Sequence, residues 1–329
     1  MYTYIISPIP EIYCDITVAI AAPRIPSAGA PRLPKISTQF KNTFVQNDVI
    51  FTTTDIFTSS ILLIQHIIVL LRPNKIYAKP IIRRYDIPQE IADKGNDKVA
   101  NFILHTSLAF EPGKSQEYSC NGMILLGYII EKIYGKTLED VFDEKIKTPL
   151  GYTRSKFNIE INEPNAAICY RTETLDGLSH PWDDENIRVL RTSAGSGGQF
   201  FTLNDINKYA KAIMNKSEAL YPEKVFDLAE QNYIKDFGEG WGLGWLIVDG
   251  KYPQTGKLFP IGSFGHCGHT GTSLFFSREK DMYVIILTNA TRCLNKKNDF
   301  KGYDYNKICE MRADIHNAIF DDLSESGLI

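Results

Sequence analysis

Apolar residues recur at helical spacing through the middle of this chain and give way to continuous or alternating apolar runs towards its end. Segments 56–71, 121–134, 137–146 and 203–215 each carry an apolar face of helical period with breakers between them, and so predict helices. Thr202 precedes the last of these with Asp205 three positions on, the spacing of a capping box with aspartate in the acidic position. Asn204 and Asp205 are therefore read as helix-capping residues. From Trp241 onward, "WGLGWLIVDG", "TSLFFSRE" and "DMYVIILTN" predict antiparallel strands joined by turns. A closing helix is expected from 304 to 322, with Ile308, Met311, Ile315 and Ile319 on one stripe. Near the start, "ITVAIAA" (16–22) reads as a strand, and the Pro-rich "PRIPSAGAPRLPKIS" after it as an irregular connection.

One early strand, a helical middle and a β-rich end predict an α/β (α+β) fold: an antiparallel sheet built from both termini, with flanking helices and an inserted, mostly helical lobe. The boundaries follow as 1–55 for the N-terminal part of the sheet lobe, 56–216 for the helical lobe and 217–329 for the C-terminal part of the sheet lobe. A binding site is expected where the two lobes meet. The run "IFTSSILLIQHIIVLLRP" (56–73) holds Ser59, Ser60, Gln65 and His66 and ends at Pro73, which suits a buried core helix better than a membrane span.

At 329 residues and 43% apolar, the chain can bury one large core or two joined lobes. A net charge of -3 without clustered Lys and Arg gives no footprint for nucleic acid or an anionic membrane, leaving small-molecule or peptide-like substrates. The six cysteines lie far apart, without zinc-type CxxC spacing or the density of a disulfide scaffold, and most read as buried thiols. The start lacks a basic segment followed by a clean apolar one, so no secretion signal is read; compartment and oligomeric state stay open.

Candidate chemistry gathers in three separated segments. "FEPGKSQEYSCNGMILLGYIIEKIYGKTLEDVFDEKIKTPLGYTRSKF" (110–157) sets a Tyr ahead of a buried helix and ends in a Pro-Leu-Gly turn. "SAGSGGQFFTLNDINKYAKAIMN" (193–215) is a Gly-rich turn leading into a helix, and "FGHCGHTGTSLFFSREKDMYVIILTN" (264–289) a His-x-Gly strand beside a second strand. In this order the three resemble the serine β-lactamase and penicillin-binding-protein family, with its D-alanyl-D-alanine carboxypeptidase and esterase relatives. The resemblance implies that family's fold and acyl transfer on a β-lactam, a D-Ala-D-Ala-like peptide or a small ester, with no cofactor and no metal.

Acyl transfer needs a nucleophilic hydroxyl, a base for its proton and donors aimed at the oxyanion. By resemblance Tyr118 is the proton relay, and His266, at the family's Lys/His position, supplies a positive or donor group. Cys120 stands where the family places its substrate-binding Asn, with Asn121 one further on. Cys267 and Gly268 complete the His-x-Gly segment; Gly268 leaves a strand edge open to substrate, and the His269 amide helps to form the oxyanion hole. Ser193 to Gly198 read as a turn at the cleft rim.

The family's Ser-x-x-Lys falls on "TTTD": Thr52 stands at the Ser position, at the start of the predicted 56–71 helix, and Asp55 at the Lys position. A carboxylate there adds negative charge where an oxyanion must form. The one Ser-x-x-Lys in the chain, Ser277 to Lys280, sits in a turn, where Ser277 reads as solvent-facing and not catalytic. Three readings follow. The chain is an acyl-transfer hydrolase using Thr52 or an unrecognised nucleophile; or a non-catalytic binding protein that keeps the cleft; or it uses Cys120 and Cys267 beside His266 and His269 as a thiolate, a disulfide or metal ligands.

Overall fold

A computed structural model describes residues 2–6, 16–21, 50–52, 87–106, 110, 114–116, 118–157, 166–167, 194–236, 238–251, 253–288 and 305–329. The strands at Tyr2–Ile6 (β1), Ile16–Ala21 (β2), Gly240–Trp241 (β6), Leu246–Ile247 (β7), Phe264–Cys267 (β8), Ser273–Ser277 (β9) and Met282–Thr288 (β10) form a seven-stranded antiparallel sheet in the order β1-β2-β10-β9-β8-β7-β6. Both termini thus feed one sheet: β2 pairs with β10 from Ala21↔Tyr283 to Ile16↔Thr288. Residues 50–52 (β3), 156–157 (β4) and 199–202 (β5) make a second, three-stranded sheet in the order β3-β5-β4. The pattern anticipated β2, β9 and β10; β1 was not foreseen, and "WGLGWLIVDG" holds two short strands instead of one.

The long apolar run of β10 is explained by burial on both faces. Tyr283, Ile285 and Leu287 enter one core with Phe264, Leu274 and Phe276, while Met282, Val284 and Ile286 enter another with Phe275. Successive strand side chains point to opposite faces, so a strand covered on both sides reads as continuously hydrophobic. The second core is closed by the helix Tyr305–Glu325 (α7), whose Ile308, Met311, Ile315, Ile319 and Leu323 are all buried. At about 1.5–3 kcal/mol per fully buried large aliphatic side chain, this stripe alone gives α7 a strong reason to dock.

The described helices before the sheet's C-terminal half are Gln89–Ala92 (α1), Asn96–His105 (α2), Cys120–Tyr134 (α3), Leu138–Phe142 (α4), Leu203–Met214 (α5) and Glu223–Ala229 (α6). The helix expected over 137–146 is α4 continued by a π-helical turn at Asp143–Lys147 and a last turn at Thr148–Leu150. α3 begins where Ser119 accepts the Gly122 N–H at 3.2 Å and ends at Gly135, whose positive φ of 62° suits the left-handed stop. The helix expected at 56–71 lies outside the described residues.

Two readings need correction. The capping box is only half formed: the Thr202 hydroxyl accepts the Asp205 N–H, but the Asp205 carboxylate turns away. It accepts instead the backbone N–H groups of Thr153, Arg154 and Ser155 at 3.0–3.1 Å, because the loop after the Pro-Leu-Gly turn brings three unsatisfied donors to it. Ser277 is buried, not solvent-facing, since it still belongs to β9, and its hydroxyl accepts the Lys280 N–H at 3.2 Å to close the turn.

Candidate functional site

Three chain segments meet around Trp241. Tyr118, one residue ahead of the α3 cap, lies with its ring centroid 6.2 Å from Trp241, and the Trp241 ring lies 5.4 Å from the His266 imidazole on β8. The three rings step inward from Tyr118, 52% exposed, through partly buried Trp241 to His266, 4% exposed. Gly238 lies near the Gln116 side-chain oxygen, which a Cβ there would meet at 3.5 Å, an ordinary contact distance. Trp241 also packs against the core beneath α7, so the middle ring is anchored to the sheet.

The resemblance implies a positive or donor group at His266, and burial disfavours the positive form. Burial drives its pKa from 6.5 down to about 4, with the nearby Arg312 acting in the same sense, and the hydrogen bond to Cys267 only partly opposes them. Its Nδ1 lies 2.9 Å from the Cys267 carbonyl, which can only accept, so Nδ1 carries the proton and Nε2 is an acceptor at neutral pH.

Gly268 does not leave an open edge. Its N–H donates to the Thr272 carbonyl at 2.8 Å, and its carbonyl accepts from Gly271 N–H at 3.0 Å and from the Arg312 guanidinium. It closes a three-residue hairpin loop in which Gly271 takes a φ of 97°, a conformation open to glycine at no steric cost. His269 opens that loop, half-buried. The edge opens one step earlier: the ladder from β7 ends at Leu246↔Gly265, so it does not extend along His266 and Cys267.

Cys120 and Asn121 are buried in the first turn of α3. Neither Cys120 nor Cys267 is in a disulfide, and burial pushes the Cys267 thiol up to about 11, which leaves it protonated at neutral pH. Among the described residues no group of three or more His, Cys, Asp and Glu could hold a metal ion. A Cys267 thiolate and the disulfide and metal forms of the cysteine reading are therefore not carried by the geometry. Ala194 to Gly198 are buried and not at a rim: Gly195 backbone lies against Gly127 of α3, where a Cβ would sit 2.9 Å from the Gly195 nitrogen.

Thr52 is the last residue of β3, paired with Phe200, and so ends a strand where a helix start was expected. It belongs to the small sheet, His266 to the large one. The position of Asp55 lies outside the described residues.

Sequence reasoning missed Trp241, Arg312 and Glu239. Arg312 is fully buried on α7 and donates to the carbonyls of Gly268 and Gly271 and to the Gln254 side chain. Its signal was a charge set inside the apolar stripe. Glu239, two residues before Trp241, has its pKa raised by burial and by the Asp249 carboxylate. Among the described residues, no helix is long and apolar enough to cross a membrane.

Comparison with known proteins places the chain in a class. Residues 82–299 match the Beta-lactamase family, and the chain belongs to that family of serine hydrolases with the β-lactamase and penicillin-binding-protein fold. The match begins well after Thr52. The chain is 27% identical over 221 residues to a putative D-alanyl-D-alanine carboxypeptidase of Escherichia coli K12, covering 60% of this chain and 50% of that protein; it spans about half the length of the curated relatives it matches. Among solved structures it is similar in fold to EstCE1, a hydrolase with promiscuous acyltransferase activity, at a TM-score of 0.61, 18% identity and coverage of 91% and 93%. A β-lactamase from Mycobacterium bovis gives a TM-score of 0.59 at 16% identity, covering 97% of this chain and 96% of that one.

Proposed function

We propose that this chain is an acyl-transfer hydrolase acting on a small ester or a peptide-like amide. The observation that carries the reading is the inward step from Tyr118 through Trp241 to His266, which brings a phenol and a neutral imidazole against one indole. In this reading a hydroxyl, from Thr52 or from a residue outside the described ones, attacks the substrate carbonyl while Tyr118 relays its proton to the departing alkoxide or amine. The His266 Nε2 acceptor orients a donor on the substrate, the His269 amide faces the developing oxyanion, and water then releases the acyl group. Cys120, Asn121 and Cys267 line the site, with the Cys267 thiol protonated.

The test is incubation with a fluorescent penicillin and with p-nitrophenyl butyrate, followed by intact mass. An acyl adduct or turnover, reduced at least tenfold in Tyr118→Phe, supports the reading; neither adduct nor turnover removes it.

A second reading is favoured by the placement of Thr52 at a strand end and by Asp55 at the family's lysine position. It makes the chain a binding protein that retains the cleft without catalysis. Ligands would then raise the melting temperature without being cleaved.

A further inference from the structure

The structure assigns to Trp241 the selection of substrate: its indole is the platform for a flat, uncharged acyl or aryl group. This rests on the cleft reading above and names the substrate class for it. The indole is the ring in contact with both Tyr118 and His266, with centroids 6.2 Å and 5.4 Å away, so a molecule that reaches from one to the other passes beside it. Both contacts are oblique, at interplanar angles of 47° and 62°, so neither neighbour is stacked parallel on the indole. Trp241 is braced from behind by the core beneath α7, which keeps the ring from swinging aside to admit a bulky polar group.

The charges around the platform favour a neutral guest. The imidazole is uncharged at neutral pH, the adjacent Cys267 thiol is protonated, and burial disfavours the charged form of Glu239, two residues before Trp241. The nearby cation, Arg312, is turned to the carbonyls of Gly268 and Gly271 and to Gln254. The Lys251 ammonium donates to the Gly238 carbonyl at the edge of this wall and is paired with Asp249, so a substrate carboxylate has to compete with Asp249 for it, whereas an apolar ring gains contact area without desolvating a charge.

The experiment compares binding of neutral N-phenylbutanamide with its anionic analogue 4-(butanoylamino)benzoate to the whole chain, by saturation-transfer NMR titration. The expected result is measurable binding of the neutral amide, at least fivefold weaker binding of the anion, a loss of about tenfold in Trp241→Ala and near-recovery in Trp241→Phe, with both variants folded by circular dichroism. Unchanged affinity in folded Trp241→Ala, tighter binding of the anion, or no binding of the neutral amide overturns the proposal. If Trp241→Ala does not fold, Trp241→Leu takes its place, with the same loss expected. Binding that follows this pattern without turnover of p-nitrophenyl esters would remove the hydrolase reading alone; turnover indifferent to Trp241 would remove this proposal alone.

Discussion

The guanidinium of Arg312, midway along α7, donates to the carbonyl of Gly268, the residue that follows the strand bearing His266. The closing helix therefore holds the hairpin on which the site is built, through a charge buried among three oxygen acceptors. Buried charges are tolerated when their donors are all engaged, and the guanidinium fork suits two carbonyls and an amide oxygen at once.

Removing that fork should cost stability more than its bulk suggests. Arg312→Met fills similar space but removes the guanidinium donors to the Gly271 and Gly268 carbonyls, of which Gly268 keeps the Gly271 N–H, so a loss of about 2–4 kcal/mol is expected in urea denaturation. Arg312→Lys should recover only part of it, because one ammonium cannot span all three acceptors. Equal stability of all three proteins would show that the hairpin does not depend on this contact.

Asp205 predicts an acid-sensitive clamp. Burial alone would raise its pKa, but the N–H groups of Arg154, Ser155 and Thr153 and the Ser155 hydroxyl hold it below the ordinary 3.8. A depressed folded value means that the stabilisation is complete above 3.8 and is lost as pH falls through the folded pKa. Asp205→Asn should cost about 2–4 kcal/mol at neutral pH, since its NH2 group faces N–H donors. The gap between the two proteins should narrow below pH 3.8; a constant gap would assign the loss to packing instead.

How far these features could be read from sequence depends on what encodes them. The strands β9 and β10 and the stripe Ile308, Met311, Ile315 and Ile319 were legible because burial writes itself as periodic hydrophobicity. Tyr118 and His266 were legible as types within motifs, whereas the charge state of His266 was not, because desolvation depends on what packs over the ring. Trp241 was hidden in a Gly-rich run that looked like one strand. The capping spacing at Thr202 was recognised, yet Asp205 found better donors fifty residues away in sequence, which no local pattern records. Ser277 looked exposed because a turn follows it, although its strand register keeps it inside.

Gly127 sets two effects against each other. Alanine would gain up to about 1 kcal/mol in helix propensity at this interior position of α3. Its Cβ, however, would stand 2.9 Å from the Gly195 nitrogen and 3.0 Å from its Cα, and backbone cannot rotate aside as a side chain can. Overpacking of this kind costs about 1–3 kcal/mol, so Gly127→Ala should be net destabilising, with a lower melting temperature. A higher one would mean that the Gly-rich turn yields.

Two histidines should make the protein lose stability in mild acid. Burial drives both His266 and His316 from 6.5 to about 4; His316 is wedged between the Phe259 and Phe275 rings, 5.2 and 5.7 Å from their centroids. Between those pH values the unfolded chain binds protons that the folded chain refuses, so unfolding is favoured as pH falls. The stabilisation is whole above pH 6.5, declines as pH drops through 6.5 and is fully lost once pH is below 4, at about 3 kcal/mol for each ring. His266→Asn should flatten the fall in urea midpoint across that window by roughly half relative to its own neutral-pH value. NMR titration of the folded protein should show neither imidazole charging above pH about 5, and a ring that titrates near 6.5 would place it in solvent and return His266 to the role of a cation.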